Sequence, residues 1–412
     1  MLNLWGSRGG LNGLVGSASF WAPLGDSGAG AVNLTLARGT GSATYTGAGT
    51  KTTIGSTGLI IPVASGVARS YYDPTTLAYQ GYLAEGARTN LCLQSQNLAV
   101  SWTLLGATQS AGGASPISSV NYQRLLADAG NTTHRAFQAV TLGAGAVTFS
   151  TFAKAGTVGW MGIGFGADAV TDGAFFNLTA GVVGTVSAGA TATIKAYPNG
   201  YLCTVTRTNP SDFVQIEIHT ADNQATVWNA AGTESIDVIG HQVEDAAFAS
   251  SYIPTTTVAV ARNADVLTYP FAGNALAAVG TAYAELATIW QGVPPTTFYA
   301  VSLSNGTGAI ALLASTSATI FDGTNVVTKT ALPDKFASSQ KVASSWGGSG
   351  QLITGSGISA QSGAFDGDIG STGIGVGCLL PGATGNELFG TLKNIRIWQT
   401  QFSAAQLQAI TA

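Results

Sequence analysis

Short runs rich in Val, Ile, Thr and Phe recur along this chain between glycine-bearing turns, and that rhythm commits it to antiparallel β-structure. The clearest runs cover residues 147–152, 175–178, 191–195, 201–205, 214–219 and 236–239. Within Val214-Gln215-Ile216-Glu217-Ile218 apolar and polar residues alternate at period two. Successive strand side chains point to opposite faces, so Val214, Ile216 and Ile218 belong to a core face and Gln215 and Glu217 to a polar one. A jelly-roll-like sandwich is expected around these strands.

Strand-like pieces restart beyond that sandwich, at 282–289, 298–303 and 309–313. The runs 318–321 and 325–328 flank Asp322-Gly323, a favoured tight-turn dipeptide, which predicts a hairpin. The chain ends in Gly390-Thr391-Leu392-Lys393-Asn394-Ile395-Arg396-Ile397-Trp398, then Phe402-Ser403 and the stretch 404–410. That ending resembles the last strand and short closing helix of concanavalin A-like (laminin-G-like) sandwiches, with Ser403 as the helix N-cap. Upstream, 41–50 is low in complexity, and 59–63 reads as a strand ending at its proline. Neither a heptad repeat nor a Gly-X-Y period is present, so no coiled-coil or collagen shaft is expected. The reading is all-β: tandem antiparallel β-sandwiches, jelly-roll-like over 97–256 and concanavalin A-like over 257–412, behind an irregular N-terminal attachment or packing region over 1–96.

Composition narrows the function classes. At 412 residues the chain can hold two or three domains, each with its own core. Only 9% of residues are charged, 45% are hydrophobic and 55 are glycine, a balance that fits extensive subunit contact and equally a glycine-rich β protein with many turns. A net charge of −4 without a basic run argues against nucleic acid as a partner. No apolar stretch approaches the roughly 20 residues needed to span a bilayer, so no membrane insertion is expected. Residues 1–8 lack a basic-then-apolar signal pattern, which points to assembly in a cytoplasm. Cys92, Cys203 and Cys378 are odd in number and far apart, without C-x-x-C spacing, and read as buried free thiols.

Catalytic patterns are sparse. There is no G-x-S-x-G elbow, and His134, His219 and His241 form neither H-x-x-x-H nor H-E-x-x-H. Glycoside hydrolysis needs two carboxylates roughly 5 to 10 Å apart with no fixed sequence spacing. Adjacent Glu244 and Asp245 would point to opposite strand faces and make a poor pair. Asp366-Gly367-Asp368 and Asp322-Gly323 offer hard oxygen ligands for calcium but read as turns. Neither metal nor cofactor is expected, and no catalytic residue is assigned. The clusters Gly162-x-Gly164-x-Gly166 and Gly373-x-Gly375-x-Gly377 lack the strand-to-helix setting of a nucleotide loop and read as close backbone packing.

For carbohydrate, aromatic planes matter, because they stack on sugar faces. Trp346, among small residues at 343–350, and Trp228, at 222–229, are the candidate ligand-binding residues; the competing reading places each in a core or subunit interface. Trp102, Trp160 and Trp398 lie in or beside strand-like runs and read as structural.

One stretch carries a resemblance. Tyr82-Leu83-Ala84-Glu85-Gly86-Ala87-Arg88-Thr89-Asn90-Leu91 resembles the E-x-x-RTNL signature of a family of bacteriophage virion proteins. Ser70-Tyr71-Tyr72-Asp73-Pro74 upstream, and Leu93-Gln94-Ser95-Gln96-Asn97 and Trp102 downstream, are similar to that family's approach to its first sandwich. Gly240-His241-Gln242-Val243-Glu244 and Ser250-Ser251-Tyr252-Ile253-Pro254-Thr255 are similar to the closing strand and exit. The resemblance implies a non-enzymatic protein on the virion surface, a head fibre or capsid decoration protein, with other virion proteins as partners, homotrimeric assembly and contact with host-surface polysaccharide. A tail-associated receptor-binding protein is the alternative it leaves open, with a polysaccharide depolymerase third. Glu85, Arg88 and Asn90 are the structural motif residues. Glu85 is expected to partner Arg88 or backbone amides, and the Arg88 guanidinium to satisfy Glu85 or buried carbonyls.

Overall fold

The computed structural model describes residues 17–166, 172–304, 307–336, 338–380 and 385–412, so the signal-pattern reading of residues 1–8 falls outside them. The strand ladders are antiparallel and build two sandwiches.

The central sandwich faces two six-stranded sheets. One runs Thr103–Leu105, Arg135–Ala139, Phe213–His219, Trp160–Phe165, Gly173–Asn177, Val182–Val186; the other runs Ala107–Ala114, Asn121–Ala127, Ser235–Glu244, Ala146–Ala155, Gly200–Thr208, Ala190–Tyr197. All six runs picked out by composition are strands here. Phe149, Val205, Met161, Ile163, Ile216 and Val238 fill the core between the sheets, each such side chain stabilising by about 1.5–3 kcal/mol when fully buried.

Val214, Ile216 and Ile218 are buried as their alternation requires. The opposite face is polar but not solvated, since Gln215 and Glu217 are buried as well. Arg135 Nη1 donates to Gln215 Oε1 at 2.8 Å, and His219 Nε2 meets Glu217 Oε2 at 2.9 Å. The His219 ring in turn packs on Phe175, 4.8 Å between centroids.

The second sandwich corrects the expected domain plan. Its larger sheet has ten strands, and Asp26–Gly28, Ala31–Val32, Arg69–Tyr72 and Tyr79–Ala84 continue it past Gly390–Trp398 to Gly280–Thr288, Gln340–Gly347, Gly350–Gly355 and Gln361–Gly363. Thr44–Thr46 joins the facing seven-stranded sheet beside Val266–Tyr269. The strands Phe20–Ala22, Asp26–Gly28, Ala31–Val32, Thr44–Thr46, Arg69–Tyr72 and Tyr79–Ala84 are therefore not a separate region but part of the C-terminal sandwich, with the central sandwich inserted after them, while Ile54 and Ile60 pack against the central sandwich. The reason lies in Gly390–Trp398. One edge pairs with Gly280–Thr288; the other is covered by Tyr79–Ala84 at Gly390 to Leu392 and by Phe20–Ala22 at Ile395 to Ile397. Without the N-terminal strands that edge would expose unpaired backbone groups. Gly81 permits the approach: its φ is +117°, and a Cβ there would sit 2.2 Å from Leu392 O. One core results, in which Phe20, Leu24 and Tyr82 pack with Leu267, Trp290, Phe298 and Ile397.

Local expectations hold elsewhere. Ala318–Phe321 and Val326–Lys329 form the hairpin around Asp322-Gly323. Ile60–Val63 is a strand, paired with Lys51–Ile54. Ser403 caps the helix Ala404–Thr411 in a capping box with Gln406. Cys92, Cys203 and Cys378 are buried and free.

Candidate functional site

The E-x-x-RTNL stretch leaves the C-terminal sandwich on Tyr79–Ala84, and its short strand Arg88–Asn90 pairs with Val260–Arg262 on the return from the central sandwich. The two chain crossings thus lie side by side, and the scarce charges of this protein gather beneath them.

Glu85 is fully buried. Its Oε2 lies 2.8 Å from Arg69 Nη2 and 3.0 Å from Arg262 Nη1. Ser251 donates its backbone N–H to Oε1 at 2.8 Å and its hydroxyl to Oε2 at 2.6 Å. Arg69 also meets Asp265, which lies 2.8 Å from Lys51 Nζ, accepts from Glu85 N at 3.1 Å, and takes the Tyr45 hydroxyl. Three cations and two carboxylates, all buried, are thereby paired. Buried ions cost several kcal/mol each unless paired and hydrogen-bonded. Burial pushes the Asp265 carboxyl up, but Arg69, Lys51 and Arg262 outweigh it and hold the group at about 2. Glu85 is lowered too, because Arg262 and Arg69 prevail over its desolvation. For Lys51 the balance is reversed: burial lowers it despite Asp265.

Asn90 closes the arrangement. Its Nδ2 donates to His241 O at 3.0 Å and Ile253 O at 2.8 Å, while Oδ1 accepts from Cys92 N and Val243 N, each at 3.0 Å. Those four bonds exhaust its amide. They also tie the motif to both stretches at the far end of the central sandwich, 240–244 and 250–255.

Arg88 departs from expectation. It does not meet Glu85, whose partners are the longer-range Arg69 and Arg262; Arg262 lies opposite Arg88 in the two-stranded ladder and takes the position over that carboxylate. Arg88 instead lies over the Phe389 ring, 4.2 Å from its centroid, with Phe248 at 5.3 Å and Glu244 Oε1 at 3.9 Å.

The two tryptophans proposed as sugar platforms are core residues, which corrects that assignment. Trp346 is fully buried, donates Nε1–H to Leu276 O at 3.2 Å, and lies so close to Gly280 that a Cβ there would be 2.3 Å from its Cζ2. Trp228 is 9% exposed, donates to Ile218 O, and packs edge-on against His134 at 4.6 Å. Trp346 fits inside because Gly280 leaves room beside its ring.

His134 bridges Gly106 O and Trp228 O, and His241 packs on Trp102 with Nδ1 at 2.9 Å from Thr151 Oγ1. Burial holds His241 down at about 3. The turns at Asp322 and Asp366 meet, but Asp322 Oδ2 accepts from Asp366 N at 3.0 Å and Gln351 Nε2 at 2.7 Å, so its oxygens face N–H donors. Among the described residues no three His, Cys, Asp or Glu side chains group as metal ligands.

Lys51, Arg69, Arg262 and Asp265 belong to no sequence motif. Their signal was scarcity: with 16 Lys plus Arg and 20 Asp plus Glu in 412 residues, an isolated Arg within Val258-Ala259-Val260-Ala261-Arg262 has few reasons to exist other than a buried partner.

Beside the junction a cleft of about 1000 Å³ opens between the sandwiches. The outer face of the central sandwich forms one wall, the 287–295 segment and Phe336 the other, and Tyr71, Tyr197 and Tyr252 line it beside the junction.

Fold and junction together define an all-β protein of two sandwiches, one inserted into the other and locked by buried ion pairs. No protein-family model matches the chain, and no curated protein matches it. Among solved structures, the N-terminal CBM22-1–CBM22-2 tandem domain of Paenibacillus barcinonensis Xyn10C aligns over 77% of this chain and 99% of its own, at 9% identity and a TM-score of 0.24.

Proposed function

We propose that this chain is a non-enzymatic structural protein displayed on the surface of a phage particle, of head-fibre or capsid-decoration type. The observation that carries the reading is the convergence of its three motif stretches. Glu85 and Asn90 of the first meet His241 and Val243 of the second and Ser251 and Ile253 of the third, across 151 to 166 residues of chain. Side chains consumed in this way set the angle at which one sandwich is mounted on the other, and a fixed mounting is what a displayed protein needs. Other virion proteins are the partners in this reading, and the low charge content supports a homotrimer. Contact with host-surface polysaccharide completes it.

Immunogold labelling of intact particles, with an antibody against residues 262–412, tests the assignment. Gold over the head is the expected result; unlabelled particles would overturn it. The cleft between the sandwiches favours a second position, at the tail as a receptor-binding protein, which gold at the tail tip would select.

A further inference from the structure

We propose that the cleft between the two sandwiches binds an uncharged, hydroxyl-rich oligosaccharide, an inference that deepens the reading of the protein as a surface component contacting host glycan and rests on it. The wall contributed by the central sandwich sets the hydroxyls of Ser150, Thr191, Thr193, Thr204 and Thr206 among apolar side chains such as Ile194 and Leu202. In the strand Gly200–Thr208, Cys203 and Val205 face the core, so Thr204 and Thr206 point outward into the cleft. Register then aligns Thr204 between Ser150 and Thr193, and sets Thr206 beside Thr191, with its other neighbour Thr148 buried behind the wall and 2.8 Å from the Thr206 hydroxyl. Neighbouring strands lie about 4.8 Å apart, so these hydroxyl-bearing side chains stand side by side at short spacing.

Three further observations turn this face into a site. Opposite it stands Phe336, a ring 37% exposed, which offers an apolar plane to the C–H face of a sugar. Among the described lining residues only Asp73, Glu85 and Lys195 carry charge at neutral pH. Glu85 is paired with Arg69 and Arg262, and Asp73 Oδ1 accepts from the N–H and hydroxyl groups of Thr75 and Thr76. A polyanion would find one lysine to bind, and a polycation one carboxylate, Asp73, already turned to its own loop. Finally, Thr391 Oγ1 is buried in the wall without a hydrogen-bond partner, a mismatch that a ligand hydroxyl would relieve. The volume, about 1000 Å³, lies at the upper end of ligand sites and suits several sugar units rather than one.

Calorimetric titration of the full chain with maltohexaose, cellohexaose and laminarihexaose, and with polygalacturonate as an anionic control, tests the site. At least one neutral hexasaccharide is expected to bind with a Kd below about 1 mM. Thr193→Trp, which fills the cleft from an exposed position, and Phe336→Ala are each expected to weaken it by about tenfold or more with unchanged unfolding midpoints. Full affinity in both variants, preference for polygalacturonate, or no binding by any neutral hexasaccharide would each overturn the proposal. Particle labelling decides the broader reading separately: labelled particles without hexasaccharide binding remove the cleft alone, and binding without labelled particles removes the virion assignment alone.

Discussion

Arg262 Nη1 lies 3.0 Å from Glu85 Oε2, and the two residues stand at opposite ends of the inserted sandwich in the chain. Their ion pair closes the base of that insertion. Any cut of the sandwich loose from its mount must break this pair in a setting where neither partner reaches water.

Glu85→Ala is therefore expected to destabilise the protein by about 3–5 kcal/mol, because it leaves Arg69 and Arg262 short of a buried counter-ion. Arg88→Ala should cost less, about 0.5–2 kcal/mol, since it removes contacts over Phe389 and Phe248 at a partly exposed side chain. Urea unfolding of the two variants side by side measures the order; a larger loss for Arg88→Ala would contradict the assignment of partners.

Asn90→Asp tests the amide without changing its shape. The carboxylate cannot donate to His241 O and Ile253 O, so two buried carbonyls lose their donor, at about 1–3 kcal/mol each. A lowered thermal midpoint is expected, with the variant more damaged at pH 7 than at pH 4, where protonation restores one donor. Equal midpoints for variant and parent would mean that these bonds do not hold the crossing.

Acid should act in two stages. His241 is held at about 3 when folded, below the usual histidine value, so its neutral form supplies stability that is complete above about 6.5 and falls as pH drops from there toward 3. The limiting slope for one proton is about 1.4 kcal/mol per pH unit. Asp265, held at about 2, adds stability present above its unfolded value near 3.8 and lost as pH falls toward 2. Stability measured by denaturant from pH 7 to 4 should decline in the parent and be flatter in His241→Gln. A parent curve level over that interval would rule out the buried neutral histidine.

Gly280→Ala places a methyl 2.3 Å from Trp346 Cζ2. Overpacking of this kind costs about 1–3 kcal/mol, and the tryptophan fluorescence of the folded state should shift with it. Hexasaccharide affinity should stay at the parent value, because Trp346 lies in the core and away from the cleft; a loss of affinity at full stability would return Trp346 to the binding surface.

Light scattering at micromolar concentration should report three times the 41.5 kDa mass of one chain if the trimer proposed above assembles. A monomeric mass would refute it.

What the sequence determined by itself was local. Alternation placed Val214, Ile216 and Ile218 on a core face, Asp322-Gly323 marked a hairpin, and Ser403 capped the closing helix, because each depends on neighbours within a few residues. The stretch around Glu85, Arg88 and Asn90 also stood out, as did the two sandwiches. Tertiary structure alone decided the partners. Glu85 met Arg69 and Arg262 rather than Arg88, Phe20–Ala22 and Tyr79–Ala84 became strands of the C-terminal sheet, and Trp346 and Trp228 turned inward. No local pattern encodes such choices. A buried charge pairs with whatever opposite charge the completed fold brings within reach, and a strand edge with whatever strand the rest of the chain leaves unpaired.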